Sequence, residues 1–123
     1  MKVQVSLSVG ELLDKITILE IKREKITCPI KLKNIETELS FLNISANLDN
    51  SDEIKQCLKE INSHIWDVED KVRDHERRKV FGTEFIETSR LVYKFNDERA
   101  RIKYEINKRY DSDIVEEKSY VAY

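Results

Sequence analysis

Glycine and proline are almost absent from this chain: Gly10, Pro29 and Gly82 are the only three in 123 residues. Tight hairpins and β-bulges depend on those residues, so a sheet protein of this sequence would lack its turns. Long helices need no such punctuation. A charged fraction of 37% beside 40% hydrophobic residues is also what long amphipathic helices produce. The expected fold class is all-α.

Hydrophobic spacing divides the chain into four helices. Ser8 and Glu11 have capping-box spacing and open a first helix over 9–26, which Pro29 stops. A second helix over 30–48 carries Leu32, Ile35, Leu39 and Leu42, and Asp49-Asn50-Ser51-Asp52 is the clearest loop. A third over 52–80 repeats Ile54, Leu58, Ile61, Ile65, Val68 and Val72. Gly82 breaks it, and Thr83 is placed to cap a fourth over 83–110 with Thr88, Val92, Phe95, Arg99, Ile102 and Ile106 inward. Val3, Val5 and Leu7 alternate with polar residues as a short extended arm would. Residues 111–123 form a C-terminal tail, either paired with the arm as a two-stranded ribbon or laid along the helices with its tyrosines in grooves. The sequence thus predicts one domain over 1–123: an antiparallel four-helix bundle of two helical hairpins, with a short extended N-terminal arm and a C-terminal tail. At 1.5 Å per residue the second pair of helices is roughly 15 Å longer than the first, so its tip near Phe81 and Phe85 overhangs.

Charge and cysteine content narrow the function classes. Lys and Arg number 22 and Asp and Glu 24, a net charge of −2, which argues against a nucleic-acid binder. Cys28 and Cys57 have no CxxC spacing and make no disulfide framework, so a reducing, cytoplasmic setting is expected. The N-terminus lacks the apolar run of a signal peptide, and no stretch approaches 18 apolar residues, so no membrane association is expected.

Helical projection exposes two anomalies. Each helix carries apolar residues away from its main stripe: Ile18 and Ile21, then Phe41, Ile44 and Leu48, then Trp66, then Ile86, Tyr93 and Tyr104 in line with Asp97. This surplus predicts either a homo-oligomer, a dimer first, or a first helix sandwiched between neighbours. Conversely, Glu20 and Arg23 lie near the inward line of the first helix, and Arg99 occupies a core position. With the second hairpin closed near Phe81-Gly82, Arg99 falls beside His64, Asn96 beside Asp67 and Val68 beside Phe95. An inward Arg needs a partner, and Glu20 is the first candidate, followed by Asp67 and Glu69. The arrangement reads as a salt-bridged layer that fixes helix register, or as a pocket where Arg23 and Arg99 receive an anion.

Two segments bear on chemistry. Trp66, Glu69, Asp70 and Arg73 form one patch suited to anchoring a partner, although Glu69–Arg73, Asp67–Lys71 and Asp74–Arg78 also have the spacing of ordinary surface pairs. Asp67, Asp70, Glu84 and Glu87 have the one-turn spacing of carboxylates in all-α magnesium-dependent nucleotide pyrophosphohydrolases. No Gly-rich phosphate loop, nucleophile elbow or HExxH motif is present.

Four stretches together resemble a known family: Val9-Gly10-Glu11-Leu12-Leu13-Asp14-Lys15 running on to Lys22, Trp66 to Arg73, Asn96-Asp97-Glu98-Arg99, and Val115-Glu116-Glu117-Lys118-Ser119-Tyr120. The chain is similar over nearly its whole length to small helical proteins of bacteria and marine phages classed only as a domain of unknown function. The resemblance implies a stand-alone helical protein and carries over no catalytic residue. The reading placed first is a non-enzymatic binding module, without cofactor, that recognises a protein partner or a small anionic ligand. Its candidate residues are Glu20, Arg23, His64, Trp66, Asp67, Glu69, Asp70, Arg73, Asn96, Asp97 and Arg99. The alternative is a magnesium-dependent hydrolase of a nucleotide-like phosphate using Asp67, Asp70, Glu84 and Glu87.

Overall fold

In the computed structural model the chain forms α1 (Val9–Lys25), α2 (Pro29–Ser45), α3 (Asp52–Arg78) and α4 (Thr83–Arg109). The backbone is described throughout, and every side chain except that of Ile44, whose expected outer position lies outside the described residues. The fold is all-α, as its sequence predicts. No strand forms among the described residues, so arm and tail do not pair as a ribbon. Instead the arm runs beside α2, with the Lys2 ammonium 4.6 Å from the Phe41 ring centroid, and the tail runs back along α4.

The start of α1 is capped mostly from outside the helix. Ser8 Oγ accepts from the Glu11 amide at 3.1 Å, as the capping box requires. The return half does not form, because the Glu11 carboxylate turns to Lys103 of α4. The Gly10 amide donates to Asn107 Oδ1 at 2.7 Å and the Val9 amide to Ser112 Oγ at 3.1 Å. The end of α4 thus satisfies two amides that a helix start leaves without partners. This closeness depends on Gly10. A Cβ there would stand 2.5 Å from the Lys103 carbonyl oxygen and 3.0 Å from Asn107 Oδ1.

Left-handed residues, none of them glycine, end both long helices. Lys79 has φ 55°, and the Val80 amide reaches back to the His75 carbonyl at 3.0 Å. Asp111 has φ 49°, and the Ser112 amide reaches the Asn107 carbonyl at 2.9 Å. Both are Schellman closures. Gly82 is the N-cap of α4 and Thr83 its first residue, without a side-chain cap bond, so neither plays the role its type suggested. With α3 ending at Arg78, Arg99 lies level with Asn62, Phe95 with His64 and Phe85 with His75, nearly one helical turn from the expected register. Helix α2 stops at Ser45 rather than near 48, and Leu48 crosses to pack against the α3–α4 core.

The four helices do not share one core. Helix α1 packs on α2, α3 and α4, whereas α2 packs on α1 alone. Leu13 of α1 joins Leu58, Ile61, Ile102 and Ile106, while Ile16 and Leu19 join Ile35 and Leu39 of α2. The sandwiched first helix accounts for Ile21, only 2% exposed despite its place off the main stripe. Its neighbours one turn either way, Thr17 and Glu24, contact Asn62 and Lys59 of α3. Beyond this joint the α3–α4 hairpin overhangs. Its tip is closed by buried His75, edge-on to Phe85 at 6.0 Å, with Phe81 stacked edge-on outside at 5.3 Å. The accessible surface of 8861 Å² exceeds the roughly 6,900 Å² of a compact globule of this mass, the mark of an extended shape.

Gly10→Ala is expected to destabilise by about 1–3 kcal/mol through overpacking, although Ala alone favours a helix by about 1 kcal/mol. Thermal unfolding should show the variant melting several degrees lower. An unchanged or higher melting temperature would refute the close-approach role.

Candidate functional site

The first helix joins the second hairpin through a buried polar group centred on Asn62. Its Nδ2 donates to Asp14 Oδ1 at 2.8 Å and to Thr17 Oγ1 at 3.0 Å, and Thr17 donates to the Asp14 carbonyl at 2.9 Å. Asp14, Thr17 and Asn62 are all at most 5% exposed, so each of these bonds offsets a full desolvation cost. On its other side Asn62 Oδ1 accepts from Arg99 Nη1 at 3.1 Å, and Arg99 Nη2 donates to Asn96 Oδ1. Asn96 is itself held to the Val92 carbonyl at 2.8 Å. Arg99 is half-buried and forms no ion pair among the described residues. This corrects the expected salt bridge: two amides orient the guanidinium, and Glu20 instead pairs with Lys55 at 2.7 Å and Lys59 at 3.6 Å.

Beside this joint Lys103 gathers the acids. Its Nζ lies 2.6 Å from Glu11, 3.1 Å from Glu116 and 3.8 Å from Asp14. Burial works against the ammonium, but the bond to Glu11, the charge of Asp14 and the bond to Glu116 hold Lys103 above the ordinary lysine value. Burial pushes the Glu11 carboxyl up, and Lys103 with Lys15 outweighs it, so Glu11 titrates below its ordinary range. Bonds from Lys118 and Lys103 hold Glu116 below that range as well. Glu116 thereby clasps the tail to α4. A second fastening lies at the chain end, where Tyr123 donates to Asp97 Oδ2 at 2.6 Å and its ring meets Tyr93 edge-on at 5.3 Å. The bond to Asp97, with that carboxylate's charge and the neighbouring Tyr93, pushes the Tyr123 phenol up to about 12.

Between these fastenings the tail and α4 enclose a cleft of about 620 Å³. Val92, Asn96, Ala100 and Lys103 line it from α4, as do Arg99, Tyr93 and Asp97, while Lys118, Tyr120, Val121 and Tyr123 face them from the tail. Its size suits a small molecule. The tail therefore runs along α4, the course expected as the alternative to a ribbon, but its tyrosines do not sink into grooves, since Tyr120 and Tyr123 are 72% and 79% exposed. It also partly covers Tyr93 and Tyr104, part of the second stripe on α4.

Of the candidate residues named from sequence, Asn96, Asp97 and Arg99 meet in this cleft. The rest lie elsewhere. Arg23 is exposed against Glu36 at 3.6 Å, so it does not join Arg99. His64 lies on the opposite face of the hairpin, tilted on the Phe95 ring at 5.4 Å. Trp66, Glu69 and Arg73 follow Asn62 at helical spacing and extend the seat of α1 along the overhang. Glu69 pairs with Arg73 at 2.6 Å and Asp74 with Arg78 at 2.9 Å, as their spacing predicts, while Asp67 and Asp70 are exposed. Asp67, Asp70, Glu84 and Glu87 do not converge: among the described residues no three His, Cys, Asp or Glu side chains form a group able to hold a metal ion. Sequence reasoning missed Asp14, Asn62, Lys103 and the tail tyrosines as site residues. The one signal for Asn62 was a polar residue beside Ile61 and Ile65 on an otherwise apolar stripe.

The fold and the cleft define an all-α protein of two packed hairpins whose C-terminal tail shapes a small-molecule-sized recess. Two of the four stretches behind the family resemblance line this recess, Asn96 to Arg99 and the tail, and a third, the start of α1, adjoins it through the Glu11–Lys103 bond. The chain belongs to DUF6165, a family of unknown function, whose model matches residues 1–123. No curated protein and no solved structure matches it.

The clasp sets a pH dependence. Glu11 and Glu116 titrate below the ordinary value of 4.5, so their contribution is complete above that pH and is lost as pH falls through the lowered values. The tail should stay docked near neutrality and loosen in acid, with α3 and α4 still helical. Backbone mobility of residues 114–123 by NMR relaxation across pH 7 to 3 measures this. Mobility independent of pH would refute the clasp, and Glu116→Gln should remove the dependence.

Proposed function

We propose that this protein is a binding module whose α4–tail cleft takes a small anionic ligand. The observation that carries the reading is Arg99: it lines a 620 Å³ cleft, is oriented by Asn62 and Asn96, and pairs with no carboxylate among the described residues. A guanidinium held by neutral amides keeps its charge for another partner, and its planar fork suits a carboxylate or phosphate. The polar groups here are suited to holding a ligand rather than to acid–base or metal chemistry. A screen of small carboxylates and phosphates by thermal shift tests the reading. At a hundred times its dissociation constant a ligand stabilises the native state by about 2.7 kcal/mol, which moves the melting temperature by several degrees. At least one anion should do so for the natural chain and not for Arg99→Gln, with no requirement for magnesium. A screen in which no anion discriminates between the two would overturn it.

A second reading, self-association, is favoured by the extended surface. The 8861 Å² exceeds a compact globule by roughly 2,000 Å², more than the about 800 Å² that each partner buries in a stable interface. The overhang still presents Val80, Phe81, Ile86 and Leu91, each 39% exposed or more, and its Arg73, Arg77, Arg78 and Lys79 each pair with a neighbouring acid, Asp74 serving two of them. Light scattering at micromolar concentration should then give about twice 14.6 kDa, reverting to the single-chain mass in Ile86→Asp. The single-chain mass for the natural protein would exclude the dimer.

A further inference from the structure

Accepting the cleft as an anion site, the arrangement of its charges and rings restricts the anion. Lys103 faces Glu11, Asp14 and Glu116, and Lys118 faces Glu116, so neither ammonium is free for a ligand. Arg99 is the cation left over. Two of its five N–H groups serve Asn62 and Asn96, and the others have no acceptor among the described residues. The charge available is therefore a single one.

Asp97 excludes a second. Asp97 and Arg99 stand two positions apart on α4, so their side chains leave the helix about 200° apart, and both border the cleft. A ligand long enough to span the cleft with an anion at each end would set one of them against Asp97. Between the two walls the lining is aromatic and aliphatic: Val92, Ala100, Tyr120 and Val121, with the Tyr93–Tyr123 pair beside them. Tyr123 shows what chemistry this region accepts, since it is itself an aromatic ring seated edge-on against Tyr93.

We propose that the cleft recognises a monoanionic aryl carboxylate: the carboxylate on Arg99, the ring among Tyr120, Val121 and Val92, and the Asp97 side rejecting any second negative charge. The bidentate fork of Arg99 fits a carboxylate directly. A nucleotide or polyphosphate would bring several charges to a recess that offers one.

Titration calorimetry on the full chain tests this with phenylacetate, acetate, terephthalate, inorganic phosphate and AMP. Phenylacetate should bind saturably, with acetate, phosphate and AMP about ten- to a hundredfold weaker, the range expected for loss of the ring contacts or of charge match. Terephthalate, with a carboxylate at each end, should be rejected by the natural chain and gain affinity in Asp97→Asn. Arg99→Gln should weaken phenylacetate by about ten- to a hundredfold, the loss of a charge-assisted bond. Because that variant also touches the Asn62 group, Tyr120→Ala serves as the second: Tyr120 is 72% exposed, so the fold does not rest on it, yet it should weaken phenylacetate and leave acetate unchanged. Phosphate or AMP binding as tightly as phenylacetate, and through Arg99, would overturn the aryl carboxylate assignment while leaving the anion site standing. Phenylacetate binding undiminished in Arg99→Gln would likewise overturn it. If no probe binds at all, the anion site falls with it.

Discussion

The contact of α1 with the end of α4 at Gly10 fixes more of this molecule than any other. A glycine without a side chain lets the first turn approach the Lys103 carbonyl, and that approach puts the Gly10 amide on Asn107 and the Val9 amide on Ser112. Consequences spread in both directions along the chain. Helix α2 packs on α1 alone, so the seat of α1 also decides where α2 stands. Ser112 begins the tail, so the cap that completes α1 also sets the direction in which residues 113–123 leave α4. One backbone approach thus positions the second core and one wall of the cleft.

The polar group under that contact turns on two neutral amides, Asn62 and Asn96. Asn62 both donates and accepts, so it can join Asp14 and Thr17 on one side to Arg99 on the other, which no single carboxylate could do. A buried carboxylate opposite Arg99 would have spent its charge on a pair whose desolvation cost rivals its attraction. The amide arrangement fixes the register of α1 against α3 and leaves the guanidinium charge at the surface of the cleft. Full satisfaction of a buried network rigidifies it, so Arg99 is presented by a stiff support, whereas the tail opposite is held by exposed fastenings at Glu116 and Tyr123. A rigid cationic wall thus faces a lightly fastened aromatic one.

Much of the architecture was legible in the sequence. Ser8 as the first cap, Pro29 as the stop after α1, the Leu58–Ile61 stripe and the overhanging hairpin follow from local spacing, because each depends on residues within a few positions of one another. The errors have a common origin. Lys79 ends α3 in a left-handed conformation that its residue type does not announce, and the shift there moved the pairing of α3 with α4 by nearly a turn. Arg99 therefore met Asn62 rather than His64, and the expected Glu20 partner went to Lys55 and Lys59 instead. The apolar surplus was read correctly as a surplus. Part of its destination is internal, in the α1–α3 contact at Ile21, while Tyr93 and Tyr104 beside the tail stay exposed.

By itself the sequence determined the fold class, the number of helices and the unequal lengths of the two hairpins, because periodicity, capping and the scarcity of glycine act locally along the chain. Tertiary structure alone decided the site. Gly10 and Lys103 are 93 positions apart and Tyr123 and Asp97 are 26 apart, and no local propensity encodes which of many charged residues will face one another across such separations. In a chain with 46 Lys, Arg, Asp and Glu residues, the sum of 22 and 24, any acid has many possible partners. Close packing at Gly10 and the bonding demands of Asn62 select which pairs form, and they leave Arg99 held by two amides, without a carboxylate partner among the described residues.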